Sequence, residues 1–471
     1  MTNSISNSIT NTIGLANDIL WTYILVAMLI GCALWFSFKT KFVQFRMIGE
    51  MVRLLGDSTV KIDGHEKHIS SFQAFTISLA SRVGTGNMAG VATAITVGGP
   101  GAIFWMWIIA LLGASSAFVE STLAQLFKTK GKHSYIGGPA YYMEKGLKKR
   151  WMGIIFAVLI TITFGFAFNS VQSNTICAAF ESAFNISPLY MGIGITLLTL
   201  VIIFGGVHWI ANVSSVIVPI MALGYIILAL FIVIGNISKL PEVISLIISN
   251  AFGIEQAAGG GIGAALMQGI KRGLFSNEAG MGSAPNAAAT AHVTHPAKQG
   301  FIQALGVFTD TLMICTCTAF IILFSDKYTD GGLDGIQLTQ AALNNEIGSI
   351  GSLFVAIAIL FFAYSSILGN YYYGEANIQF ITQKKWVVNV YRILVSGMVF
   401  FGSMASLKLV WSLADITMAL MAICNLIAIL LLGKYAFRLL NDYISQKKKG
   451  IKSPIFRKSN MKDIEEDISC W

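Results

Sequence analysis

Charge is scarce in this sequence: Asp, Glu, Lys and Arg make up 12% of 471 residues, where soluble domains carry about 25%. That shortage, with a mean hydropathy of +0.69, excludes an ordinary soluble enzyme. Proline is also rare, eight residues in all. Because apolar runs recur at regular intervals, the chain is not of the disordered or low-complexity kind. Cysteine gives no disulfide framework: Cys32, Cys177, Cys315, Cys317 and Cys424 fall inside apolar runs and Cys470 stands beside Trp471. There is no His-Glu-x-x-His, no Gly-x-Ser-x-Gly and no Walker Gly-x-x-x-x-Gly-Lys, and His292 and His295 have no third ligand nearby. A membrane enzyme and an ATP-driven pump therefore lack their chemistry. The first 20 residues hold no Lys or Arg, so the basic region of a signal peptide is missing and the first apolar run is expected to be retained.

What is present is a series of runs long enough to cross about 30 Å of hydrocarbon. They cover 18–38, 72–97, 102–127, 151–179, 189–207, 213–235, 257–290, 300–324, 352–380, 387–407 and 410–433. The expectation is an all-α polytopic membrane protein with 11 transmembrane helices. Segment 239–252 is shorter and amphipathic and reads as a helix on the membrane surface. Basic residues alternate between loops: 39–70, 128–150, 381–386 and the tail from Lys434 carry 6, 7, 2 and 9, against Lys239, Lys327 and Lys408 in the loops between. By the positive-inside rule the N-terminus is outside and the basic tail cytoplasmic.

Two of the runs are poor helices. Ser81-Arg82-Val83-Gly84-Thr85-Gly86-Asn87-Met88-Ala89-Gly90 places glycines, an arginine and an amide at bilayer depth, and Lys271-Arg272-Gly273-Leu274-Phe275-Ser276-Asn277-Glu278-Ala279-Gly280-Met281-Gly282 does the same. Five helices separate their starts, and an odd number makes the second unit enter from the opposite face. Such corresponding interruptions point to a transporter of inverted repeats. The chain then divides into 1–70 (outer N-terminus, extra helix and cytoplasmic loop), 71–238 (first five-helix repeat), 239–256 (surface helix and outer loop), 257–433 (second repeat) and 434–471 (basic cytoplasmic tail). Unwound backbone frees N–H and C=O groups that suit a carboxylate and a cation, respectively. An ion channel, the rival from another class, would want a repeated pore loop, and these two breaks differ in sequence.

At Ser81 to Gly90, and at Gly98-Gly99-Pro100-Gly101-Ala102-Ile103-Phe104-Trp105-Met106-Trp107 followed by Gly113, the sequence resembles the alanine or glycine:cation symporter family, also called sodium:alanine symporters. The likeness continues through Asn17-Asp18-Ile19-Leu20-Trp21, through Lys271 to Pro285 and through Gly369-Asn370-Tyr371-Tyr372-Tyr373-Gly374-Glu375. The resemblance implies a LeuT-type five-plus-five inverted repeat behind one extra helix. It also implies Na⁺-coupled import of a small neutral amino acid, alanine or glycine first, with H⁺ coupling or glutamine as the alternatives within the family. It implies a prokaryotic inner membrane, a lipid bilayer as surroundings, no nucleic acid and no obligatory protein partner.

Residue roles come with the resemblance. Thr85, Gly86 and Asn87 match the Gly-x-Gly-Asn break that holds the substrate carboxylate, with Asn87 also touching Na⁺. Phe275, Ser276 and Asn277 would close the pocket from the second break. Carbonyls of Ala80 and Val83 with the hydroxyls of Ser365 and Ser366 would form a second Na⁺ site of oxygen ligands. Phe168, Asn169 and Gln172 share a helical face, and Gln172 is assigned to the cavity wall. Asn370 joins the pocket where some members carry Trp. Glu120, Asp310, Glu375, Asp415, Arg82 and Arg392 are ionisable groups within or at the ends of spans, so each is expected to have a partner or a wet cavity.

Overall fold

The computed structural model describes residues 14, 17–57, 69–131, 134–205, 207–253 and 261–471. The N-terminal segment, residues 58–68 of the 39–70 loop and the start of the 257–290 run therefore lie outside the described residues. Among those described, nine helices are long and apolar enough to span a membrane: α1 (Asn17–Lys39), α5 (Gly101–Leu126), α6 (Arg150–Phe184), α7 (Pro188–Gly205), α8 (Val216–Gly235), α12 (Ala297–Ser325), α14 (Ile350–Ile381), α15 (Lys385–Met404) and α16 (Leu407–Lys448). Between them lie the amphipathic α2 (Ile48–Leu55) and α9 (Leu240–Ala251), and α13 (Gly335–Ile347). A two-residue hairpin pairs Thr129 with Ile136 and Lys130 with Tyr135.

The two poor helices are indeed interrupted. The first is α3 (Ser71–Arg82), an extended residue at Val83, then a wide turn over Gly86–Gly90 and α4 (Val91–Gly98). It starts where the sequence says it should: Ser70 Oγ accepts from Gln73 N–H at 3.1 Å while Ser70 N–H donates to Gln73 Oε1 at 2.9 Å, a capping box. The second is α10 (Ile262–Asn277), a break through Glu278, whose φ of 58° is left-handed, and α11 (Ala284–Thr290). Wide π-type turns also open α6 at Thr161–Phe168 and α12 at Phe308–Cys315, and such turns gather at functional sites.

α5 is the central post, packed against α10, α11 and α12. The Gly98–Trp107 block serves this packing: a Cβ on Gly101 would lie 2.4 Å from Ala251 N, and Trp105 Nε1 donates to Ala251 O at 3.3 Å, so α9 is seated on the start of α5. Lower on α5, the buried Glu120 explains itself. Its carboxylate accepts from Gly280 N–H at 3.2 Å, Gly282 N–H at 3.1 Å and Asn425 Nδ2 at 2.8 Å, satisfying backbone donors that the second break leaves without helical partners.

α16 continues well past the apolar run that ends at 433. Its last turns are polar outward and packed inward, and the tail beyond them folds back over one face of the bundle. Phe456 N–H donates to Thr294 O at 2.9 Å, Ser469 Oγ to Lys128 O at 3.1 Å and Trp471 Nε1 to Gln125 O at 3.0 Å. Trp471 packs with Ile69, Ala74, Ala291 and Val293, so the tail meets both the start of α3 and the chain just after α11.

Replacing Glu120 with Ala removes the acceptor for two buried N–H groups, each worth roughly 1–3 kcal/mol when left unsatisfied. The expected outcome is a clear loss of thermal stability in detergent, with Glu120→Gln losing less because one acceptor oxygen remains. A thermal unfolding series of the purified variants checks it.

Candidate functional site

The two breaks face each other in the middle of the bundle. A Cβ on Gly86 would lie 3.0 Å from Phe275 Cδ1 and 3.1 Å from Ser276 Cα; a Cβ on Gly84 would lie 2.3 Å from Ser366 Oγ and 2.8 Å from Gln172 Oε1. A Cβ at Gly84 would overlap its neighbours, and one at Gly86 would be held in tight contact.

The freed N–H groups of the first break are held by side-chain oxygens. Gly84 N–H donates to Asn87 Oδ1 at 2.9 Å; Thr85 N–H and Thr85 Oγ1 both donate to Gln172 Oε1, at 3.0 and 2.8 Å. The other end of Asn87 faces the second break: Nδ2 lies 2.7 Å from Asp310 Oδ1, 3.1 Å from Ser276 Oγ and 3.3 Å from Cys315 Sγ. Ser276 Oγ in turn donates to Asp310 Oδ2 at 2.6 Å, which Thr311 Oγ1 reaches at 3.0 Å. Oxygens of Ser276 on α10 and of Asp310 and Thr311 on α12 thus gather around the Asn87 amide nitrogen, and such oxygens are the donor type a small cation takes.

Of the residues expected at the second cation site, Ser366 Oγ sits 3.0 Å from Ala80 O and 3.2 Å from Val83 O. Both hydroxyls bond back along the helix to Phe362 O, Ser365 at 2.9 Å and Ser366 at 3.0 Å, as serines in membrane helices commonly do, but only Ser366 also reaches the carbonyls of the first break. Asn277 is spent partly on its own break, where Oδ1 accepts from Ala279 N–H at 3.0 Å, and its buried Nδ2 has no partner among the described residues. Asn370 bonds through Nδ2 to Asn169 Oδ1 at 3.1 Å and lies 2.9 Å from Ser81 Oγ, which also reaches Glu278 Oε1 at 2.8 Å. These contacts form a polar floor beside the first break.

A stack of rings covers the site. Phe275 lies 4.5 Å from Phe168 and 4.6 Å from Trp411, centroid to centroid. Above Trp411 sits the Arg272 guanidinium, 4.2 Å from the ring, with its Nη2 2.6 and 2.9 Å from the Asp415 oxygens. Trp21 Nε1 donates to Asp415 O at 3.2 Å and Asn17 Nδ2 to Ser412 O at 3.1 Å, which explains the Asn17–Trp21 block: α1 braces the lid. Asp415 therefore has its expected partner, as do Glu375 and Arg392, which meet at 3.4 Å with Tyr371 OH between them. Arg82 departs from the expectation. It is buried, donates from Nη1 to Gln303 O at 3.3 Å, and among the described residues meets no carboxylate within 4.0 Å. His295 bonds Asp442 at 3.1 Å, and no cluster of three His, Cys, Asp or Glu residues is placed for a resident metal among the described residues.

Sequence reasoning missed Asp310 and Trp411 as parts of the site. The signal for Asp310 was a lone carboxylate in an apolar run; what it faced was invisible. Trp411 gave no signal.

The sequence model of the "Sodium:alanine symporter family" matches residues 6–458. Among curated relatives, the "Probable sodium/glutamine symporter GlnT" of Bacillus subtilis is 56% identical over 98% of this chain and 95% of its own. The "Sodium/alanine symporter AgcS" of Methanococcus maripaludis is 38% identical over 90% and 94%. Of solved structures, MhsT in complex with L-phenylalanine aligns with a TM-score of 0.53 at 13% identity over 87% of this chain and 94% of its own. An Eremococcus coleocola manganese transporter aligns with a TM-score of 0.51 at 13% identity over 88% of each chain. At such identities the likeness concerns the fold, which is that of LeuT-type transporters.

The glycine geometry makes a graded prediction. Gly84→Ala forces a methyl group into Ser366 Oγ and Gln172 and should abolish amino-acid binding, whereas Gly86→Ala meets the Phe275 ring edge and Ser276 Cα at distances that a shift of a few tenths of an ångström relieves and should weaken it roughly tenfold, a shift equivalent to about 1.4 kcal/mol. Equilibrium binding of a radiolabelled amino acid to variants inserted at normal levels checks the order.

Proposed function

Because the chain belongs to the sodium:alanine symporter family, we propose that it is a Na⁺-coupled symporter importing a small neutral amino acid by alternating access. The observation that carries the reading is Asn87, whose one amide accepts from Gly84 N–H of the first break and donates to the Asp310–Ser276 oxygens at once. In this reading the substrate carboxylate takes over the N–H groups of residues 84–86. Gln172 Oε1 already receives from Thr85 the pair of hydrogen bonds that a carboxylate oxygen would receive. Na⁺ lies against that carboxylate and the oxygens of Asn87, Ser276 and Asp310. Each ligand completes the other's site, so each raises the other's affinity. A second Na⁺ belongs with Ala80 O, Val83 O and Ser366 Oγ, and Ser365 joins only by turning its hydroxyl away from Phe362. Asp310 also offers a titratable oxygen to H⁺, the alternative coupling ion.

A second reading of the cargo, glutamine, is favoured by the paired amides of Asn370 and Asn169 beside Ser81, a polar floor suited to a side-chain amide, and by the printed name of the 56% identical relative.

The nine continuous spans, with the broken pairs α3–α4 and α10–α11, make eleven crossings in this reading. Residues 71–238 and 257–433 form two five-crossing units of opposite orientation behind α1. The distribution of basic loops supports an outer N-terminus and a cytoplasmic tail, and the bacterial and archaeal relatives support a prokaryotic plasma membrane.

Proteoliposome uptake of labelled alanine, glycine and glutamine tests the reading: accumulation should require an inward Na⁺ gradient. Equal uptake in Na⁺, K⁺ and choline at fixed pH and voltage rejects Na⁺ coupling, and dependence on a pH gradient instead identifies H⁺. Asn87→Ala and Asp310→Asn should each lower Na⁺ and amino-acid affinity together, by tenfold or more. Ser366→Ala should raise the Na⁺ concentration for half-maximal uptake far more than Ser365→Ala; if neither moves it, the second cation lies elsewhere.

A further inference from the structure

Just after α1 the chain exposes a cluster of large apolar side chains among basic ones. Phe38 is 64% exposed, Phe45 45%, Ile48 43% and Val52 55%, interleaved with Lys39, Lys41, Arg46 and Arg53. Lys41 and Phe42 both adopt left-handed backbone, φ 56° and 54°, so the chain turns back sharply beneath α1. The turn is closed by Phe42 N–H donating to Ser37 O at 2.7 Å and by Arg46 Nη2 donating to Thr40 O at 3.3 Å. The last turns of α16 run alongside, with the Phe36 and Phe437 rings 6.2 Å apart. Between turn and helix lies a cavity of about 270 Å³ lined by Lys41, Arg46, Asn441, Ile444, Ser445 and Lys448.

Several neighbouring charges are matched. Arg53 and Lys447 meet Glu50 at 2.7 and 3.3 Å, Lys298 meets Asp57 at 2.5 Å and Arg438 meets Asp463 at 2.8 Å. Lys41, Arg46 and Lys448 converge on the cavity with no carboxylate within 4.0 Å among the described residues. Three like charges around one space repel one another unless an anion joins them. The hydroxyl of Ser445 and the amide of Asn441 add uncharged donors of the kind a phosphate oxygen accepts. The apolar neighbours identify the source of that anion, because a soluble ion has no use for Phe38, Phe45 and Ile48, whereas acyl chains do. Trp35, with Lys39 4.5 Å from its ring, marks the membrane–water boundary at this level.

We propose that this cavity binds the phosphate headgroup of an anionic phospholipid, with the acyl chains lying along Phe38, Phe45 and Ile48. The proposal rests on the bundle's place in a membrane and not on the cargo it carries. Basic clusters immediately beside a spanning helix favour anionic lipids. The headgroup bridges α16 to the turn after α1.

The test uses the full-length protein in detergent micelles, followed by native mass spectrometry as dioleoylphosphatidylglycerol or dioleoylphosphatidylcholine is titrated in. Wild type should retain the glycerol lipid at concentrations where the choline lipid is lost. The triple variant Lys41→Gln, Arg46→Gln, Lys448→Gln should lose about 100-fold of that preference, and Lys448→Gln alone about fivefold. A control triple at the exposed Lys130, Lys384 and Lys385 should keep it. Amino-acid binding by each variant establishes that it is folded; should the triple fail there, the single variant decides. Equal retention of the two lipids by wild type, or an unchanged preference in Lys448→Gln, overturns the proposal. Displacement of the lipid by millimolar inorganic phosphate assigns the cavity to a soluble anion and overturns it as well.

Discussion

A backbone N–H or C=O that loses its helical partner inside a membrane must find another within the protein, and the interior of this bundle is arranged around two places where that happens. Asn87 and Gln172 answer for the N–H groups of Gly84 and Thr85, Ser366 for the carbonyls of Ala80 and Val83, and Glu120 for Gly280 and Gly282. The first group consists of neutral side chains that can turn aside, and the second break is held by a fixed carboxylate on the central post. In the proposed reading, this asymmetry separates a break that exchanges its partners for cargo from one that holds the frame.

How much of this was legible in the sequence follows from what hydropathy and composition measure. The two breaks were visible, because glycine, arginine and asparagine stand out against an apolar background whatever their neighbours are. The structure sets Thr85 against Gln172 and Asn87 against Ser276, residues that the resemblance assigned to one pocket. Ser365 and Ser366 could not be told apart, since adjacent helical positions point about 100° from one another and only the neighbouring helix decides which one faces the first break. Asp310 was readable as a carboxylate needing company, but its partners lie 223 and 34 residues away in the chain. The length of α16 was underestimated because a hydropathy window reports where lipid ends, and this helix continues into the polar region against the folded-back tail.

The two faces of the bundle are closed by different means. On one, Phe275 and Trp411 form a short column of rings under Arg272 and Lys271, both paired with Asp415, and α13 packs nearby with Thr339 Oγ1 donating to Met88 O and Gln340 Nε2 to Ala179 O. On the other, the tail and the ends of α3, α5 and α16 interlock through many separate contacts, including Tyr443 OH to Glu50 at 2.5 Å and His295 to Asp442 at 3.1 Å. Although burial raises it, Arg53, Tyr443 and Lys447 together bring the Glu50 carboxyl down to about 2.

α16 takes part in both closures. It carries Trp411 and Asp415 near one end, Asp442 and Tyr443 near the other, and Asn425 between them, bonded to Glu120 at 2.8 Å and Gly280 O at 2.9 Å. At 1.5 Å per residue, Trp411 and Tyr443 are about 48 Å apart along a single helix. Because one continuous helix joins both ends, a rigid tilt of about 10° about Asn425 would carry them roughly 4 Å in opposite directions, so neither end of this helix can be displaced without consequence for the other.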